Sequence, residues 1–88
     1  MIEIAFSSSF KRAFKKISKN KPVERKFWEK TKLFITEPFH PYLKTHKLSG
    51  KLEDLWSFSV EYDLRVIFYF TDKTHAIFID IGTHNEVY

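Results

Sequence analysis

At 88 residues the chain has room for one domain, expected over residues 1–88, and none for a second. Hydrophobic residues make up 43%, charged residues 30% and aromatic residues 18%, a balance that excludes a disordered or collagen-like chain. The lack of Cys rules out a disulfide scaffold or a thiolate zinc site and suits a reducing cytoplasm. No apolar run approaches the ~18 residues a membrane span needs, and Met1-Ile2-Glu3 offers no basic leader, so neither insertion nor export is expected. The net charge of +4 is unevenly spread: residues 1–51 hold 13 Lys/Arg against 4 Asp/Glu, and residues 52–88 hold 2 against 7. A basic N-terminal part suits a polyanion such as RNA or DNA, through phosphate neutralisation, and equally suits a solvated lysine-rich helix face.

The opening alternates Ile2, Ile4 and Phe6 with Glu3 and Ala5, the period of a half-buried strand. Ser7-Ser8-Ser9 then supplies helix-capping oxygens. Phe10, Ala13, Phe14 and Ile17 follow at the spacing of one helix face, with Lys11, Arg12, Lys15, Lys16 and Lys19 around the rest. Asn20-Lys21-Pro22 closes this helix and opens a second, expected from about Val23 to Ile35 and ended by Glu37-Pro38. So short a turn predicts a helical hairpin.

Residues 38–52 contain two prolines and no sustained period, which predicts a loop with a turn at Ser49-Gly50. Three strands follow in quick succession: Trp56 to Val60, Leu64 to Phe70, and His75 to Gly82, separated by turns at Glu61-Tyr62-Asp63 and Thr71–Thr74. Short connections make them an antiparallel meander. The expected fold is α+β, a two-helix hairpin on one face of a four-stranded, antiparallel-rich sheet. Leu64, Val66, Phe68, Phe70, Ile77, Ile79 and Ile81 are expected to face the helices. Arg65, Ile67, Tyr69, Ala76, Phe78 and Asp80 are expected on the open face, whose mixed character suggests a binding surface, a dimer contact or a loop-covered face.

Gly50 and Gly82 are the sole glycines, so no phosphate-binding glycine loop is present, and His40, His46, His75 and His84 lack metal-ligand spacing. The remaining His, Arg, Lys, Asp and Tyr suffice for metal-free RNA cleavage: a base for the 2′-hydroxyl, cations for the charge growing on phosphate, and an acid for the leaving 5′-oxygen. Arg65 lies in a strand of apolar and aromatic residues, where an arginine needs a partner or an open face. His84 lies just past the last strand, and Asp63 is first a turn residue and second an acid-base or Arg-orienting candidate.

The runs Leu48-Ser49-Gly50-Lys51-Leu52, Leu55-Trp56-Ser57-Phe58-Ser59-Val60, Tyr62-Asp63-Leu64-Arg65-Val66-Ile67-Phe68 and Ile81-Gly82-Thr83-His84-Asn85-Glu86-Val87-Tyr88 resemble the RelE/ParE toxin superfamily. The ending and His46-Lys47-Leu48 are most similar to the YafQ-like ribonuclease toxins. The resemblance implies a RelE-like (microbial RNase-like) fold and the toxin of a type II toxin–antitoxin pair. Such a toxin would cut messenger RNA in the ribosomal A site, need no cofactor or metal, and be held inactive by a cognate antitoxin.

By position, the resemblance gives His46 a role in activating the 2′-hydroxyl or binding phosphate. Arg65 would steady the scissile phosphate, Asp63 would orient a catalytic group, His84 would be the leaving-group acid, and Tyr88 would stack on a base or hold the substrate. Lys11, Lys15, Lys19, Lys44, Lys47 and Lys51 are weaker candidates for RNA attraction. Two departures stand out: Ser59 and Leu64 replace a His and a Trp of the YafQ-like pattern, and the first removes a candidate base. A ParE-like gyrase inhibitor and a decayed toxin that retains only antitoxin binding are the alternatives.

Overall fold

The computed structural model describes residues 1–50 and 54–87. Among them lie β1 (Glu3–Phe6), α1 (Ser8–Ile17), α2 (Lys21–Thr36), a 3-10 turn at Pro41–Leu43, β2 (His46–Lys47), β3 (Trp56–Glu61), β4 (Leu64–Asp72), β5 (His75–Thr83) and a final helical turn, α3 (His84–Val87). The helix starts follow from their caps. Ser7 Oγ accepts the Phe10 N–H at 3.1 Å and opens α1; Asn20 Oδ1 accepts the Val23 N–H at 3.2 Å. The Asn20 cap starts α2 at Lys21, two residues before the expected Val23, with Pro22 in its first turn.

The sheet order is β1-β5-β4-β3-β2. The meander β3–β4–β5 is antiparallel, joined at Tyr62-Asp63 and Lys73-Thr74, while β1 lies parallel to β5 at one edge. The expected α+β class and helical hairpin are present, but the sheet has five strands where the sequence predicts four. The additional strand, β2, is two residues long and pairs His46 with Ser57 and Lys47 with Trp56. Two residues cannot display a period, so a strand defined only by its partner read as loop.

Both helices pack on one face of the sheet. Phe78 of β5 is fully buried with its ring 5.6 Å from Phe10 of α1 and 5.7 Å from Phe34 of α2. Phe27, Phe58 and Phe68 complete an aromatic centre, where each fully buried ring contributes about 1.5–3 kcal/mol by leaving water. This corrects the expected orientation of β5: Ala76 and Phe78 belong to the helix-facing core, and Ile77, beside Tyr69, lies on the other face. The cause is a bulge. Ile67 pairs with Asp80 but Phe68 pairs with Phe78, leaving Ile79 unmatched, so the alternation changes phase and Ile81 returns to the core. No helix among the described residues is long and apolar enough to cross a membrane.

Candidate active site

Cross-strand partners share a sheet face, so register alone gathers residues on the face away from the helices, where Ser57 and Ile67 are themselves buried. Ser59 of β3 stands opposite Arg65 of β4, which stands opposite Gly82 of β5; in the adjoining row His46, Ser57, Ile67 and Asp80 follow one another across the strands. His46 therefore lies on one side of Arg65 and the end of β5, leading to His84, on the other.

Arg65 is anchored at the β3–β4 turn. Its Nη1 lies 3.5 Å from Asp63 Oδ1, and that oxygen also accepts from the His84 backbone N–H at 3.5 Å. One carboxylate thus ties the hairpin tip to the first residue of α3. Asp63 keeps about half of its side chain exposed, and a quarter of the Arg65 side chain is exposed.

At the start of α3, in Thr83-His84-Asn85-Glu86, Glu86 Oε1 accepts the Thr83 N–H at 2.8 Å, one half of a capping box. That bond, reinforced by the Thr83 hydroxyl and the charge of Lys16, holds the Glu86 carboxyl below its ordinary value. Gly82 lies close beneath it: a Cβ there would sit 3.1 Å from both Glu86 Oε1 and Val87 Cγ1, so those side chains would have to give way by a few tenths of an ångström. The helical turn folds over the strand next to Arg65. The Thr-x-x-Glu spacing is legible in the sequence as a helix start, yet the segment reads more readily as a tail after the last strand.

His46 is exposed, with Nδ1 3.0 Å from the Lys44 carbonyl oxygen. A carbonyl can only accept, so Nδ1 carries the proton and donates it. Nε2 of the neutral ring is left with its lone pair, the form a general base requires. Lys44 itself is left-handed, at φ 52°, where it closes the Pro41–Leu43 turn.

Of the residues singled out from sequence, Asp63, Arg65 and His84 are in contact or adjacent, and His46 lies in the neighbouring row. Lys47 follows His46 on β2, and Lys44 lines a cleft of about 440 Å³ that reaches Arg65. Lys11, Lys15 and Lys19 are exposed but belong to the helical layer, where Lys11 and Lys15 border a groove with Phe14 and Trp28. Tyr88, Lys51 and the continuation of the Ser49-Gly50 turn lie outside the described residues; Gly50 itself is left-handed at φ +67°. The same cleft is lined by Lys30, Tyr42 and Tyr62, none of them evident beforehand because the wall joins three distant segments. Among the described residues no group of three His, Asp or Glu is placed to hold a metal ion.

A base on one side of a cation and a histidine on the other is an arrangement that can move a proton from a nucleophile and to a leaving group across a bound phosphodiester.

The helical hairpin and the mixed sheet have the architecture of the RelE-like toxins. The sequence profile of the bacterial toxins of type II toxin–antitoxin systems, YafQ, matches residues 2–88, and the chain belongs to that family. It is similar to YafQ in the E. coli DinJ–YafQ complex, with 27% identity and a TM-score of 0.82 over 100% of this chain and 99% of that one. YafQ from E. coli strain BL21(DE3) shares its fold at 24% identity and a TM-score of 0.83, again over 100% and 99%. A YoeB/ParE toxin from Agrobacterium tumefaciens shares the fold at 14% identity and a TM-score of 0.78, over 94% and 99%. No curated protein matches the sequence significantly.

Proposed function

We propose that this toxin is an endoribonuclease that cuts messenger RNA on the ribosome by acid–base chemistry of its own side chains, without a metal or cofactor. The observation that carries the proposal is the register: Arg65 sits between β2, which bears His46, and the end of β5, which leads to His84.

In this mechanism Nε2 of His46 takes the proton of a ribose 2′-hydroxyl. The oxygen attacks the adjacent phosphorus while Arg65 neutralises the charge that grows on the phosphate oxygens. His84, protonated, gives its proton to the departing 5′-oxygen. The products are a 2′,3′-cyclic phosphate and a 5′-hydroxyl, so atoms and protons balance. Asp63 holds Arg65 in place, and Tyr88 stacks on a base of the substrate. A translating ribosome as the site of action puts the toxin in the cytoplasm.

A cognate antitoxin protein is the second partner, by analogy with the DinJ–YafQ complex. An amphipathic segment of it would cover the surface around Arg65 and His84 or the helical hairpin.

Primer extension on a translated message after induction tests the proposal. Discrete new 5′ ends that vanish when the antitoxin is co-expressed support it. Growth arrest with intact message and poisoned gyrase would replace it with a ParE-like activity, and a harmless protein that still binds antitoxin would mark a decayed toxin.

A further inference from the structure

We infer that the cleft between α2, the Pro41–Lys44 segment and the β3–β4 turn is a second nucleotide subsite. It would hold the RNA residue next to the scissile phosphate, its own phosphate on Lys30 and Lys44 and its base on Tyr62. The inference rests on the ribonuclease reading of Arg65.

Four observations carry it. The cleft, about 440 Å³, is within the ~300–1,000 Å³ range of small-ligand sites, and its charged lining is Lys30, Lys44 and Arg65 against Glu61 alone, which favours an anion. Lys30 is fixed there: its Nζ donates to the Tyr42 carbonyl at 3.2 Å and lies 5.9 Å from the centre of the Tyr42 ring. Lys44 occupies a left-handed backbone that glycine would adopt with less strain, so its presence sets a cation at the cleft wall. Tyr62 is 98% exposed at the hairpin tip, an aromatic face in water beside a cationic groove, which is the pairing that binds single-stranded nucleic acid.

The cleft is continuous with the site already described because Arg65 lines both. Ser59, small and directly opposite Arg65, lines the cleft as well. A strand of RNA with one phosphate on Arg65 therefore has its neighbour led towards Lys44 and Lys30. An acidic protein segment would use the cations but would have less use for a fully exposed ring at the rim.

The test is binding of a labelled hexameric RNA, 2′-O-methylated throughout so that it cannot be cut, by the full-length protein and by Lys44→Ala, Tyr62→Ala and Tyr62→Phe. All three substitutions are at exposed positions. Tyr62→Ala is expected to weaken binding about tenfold, in the range of one base stacked on an aromatic ring. Tyr62→Phe should restore the affinity, and Lys44→Ala should flatten the log–log salt dependence by about 0.7, the loss of one phosphate contact on a single strand.

Affinity and salt slope unchanged in Lys44→Ala and Tyr62→Ala would overturn the subsite, as would a wild type that does not bind the hexamer. Variants that bind RNA normally but escape antitoxin neutralisation would assign the cleft to the antitoxin instead. A wild type that binds the hexamer through Lys44 and Tyr62 but cuts no message would overturn the ribonuclease reading and leave the subsite standing.

Discussion

Ser59 and Arg65 stand side by side on β3 and β4, directly paired across the strands. A small hydroxyl side chain therefore stands opposite Arg65, at the position where the resemblance to the YafQ-like toxins expects a histidine. Ser59→His is expected to raise the cleavage rate, by up to about 10²-fold if the missing base limits it. Because Ser59 also lines the cleft, the larger ring should raise KM as well. Steady-state cleavage of a ribosome-bound message checks both; an unchanged kcat would mean that His46 alone meets the need for a base.

Asp63 links Arg65 to the start of α3, so Asp63→Asn should loosen both. Cleavage is expected to fall by about 10–10²-fold, the scale of a small misplacement of reacting groups. Stability should change little, because a half-exposed ion pair at 3.5 Å contributes about 0–1 kcal/mol. Single-turnover cleavage beside thermal unfolding separates the two effects, and equal losses in both would make Asp63 a structural residue.

Thr31 of α2 is buried, and its Oγ1 has no hydrogen-bond partner among the described residues. Thr31→Val keeps the shape and removes the unsatisfied hydroxyl. It is expected to stabilise the fold by about 1 kcal/mol and to raise the midpoint of thermal unfolding by roughly 4–8 °C. A lower midpoint would indicate that the hydroxyl is bonded in solution.

At the far end of the sheet His75 is held between two carboxylates, Nε2 at 2.6 Å from Glu3 Oε2 and Nδ1 at 2.9 Å from Asp72 Oδ1. The cluster ties β1 to the β4–β5 turn. Asp72, foremost through its hydrogen bond with His75, keeps the His75 imidazole protonated above its ordinary 6.5. The same bond, with the Thr74 N–H, lowers the Asp72 carboxyl from 3.8 to about 2. The His75 contribution is complete below 6.5 and is lost as pH rises through its elevated folded value. The Asp72 contribution is complete above 3.8 and is lost as pH falls towards 2. Wild type should therefore exceed His75→Gln in stability most clearly between about pH 4 and 6.5, with the difference closing at higher pH. Thermal unfolding of both proteins across pH 3–9 checks this, and a difference independent of pH would contradict it.

What was legible in the sequence is what a local pattern can carry. The spacing of Phe10, Ala13, Phe14 and Ile17, with caps at Ser7 and Asn20, marks the helical hairpin, and the turn residues mark the meander. What was not legible depends on partners elsewhere. β2 exists because β3 supplies its hydrogen bonds, and the bulge at Ile79 reverses the facing of Phe78 although β5 alternates without interruption. In the site, Asp63 and Arg65 are two residues apart at a turn, so their pairing could be anticipated. Lys30, Tyr42 and Tyr62 meet only because α2, the Pro41–Leu43 turn and the β3–β4 turn converge.

In the proposed mechanism the substrate's own 2′-hydroxyl is activated between His46 and His84, with Arg65 on the phosphate. The chemistry of the new ends in a translating message, for wild type, Arg65→Ala and His84→Ala, distinguishes this mechanism from the others. Wild type is expected to leave upstream fragments ending in a 2′,3′-cyclic phosphate or the 3′-phosphate derived from it, with losses of about 10²–10⁴-fold in the folded variants. Fragments ending in a 3′-hydroxyl, or cleavage that survives in either variant, would contradict it.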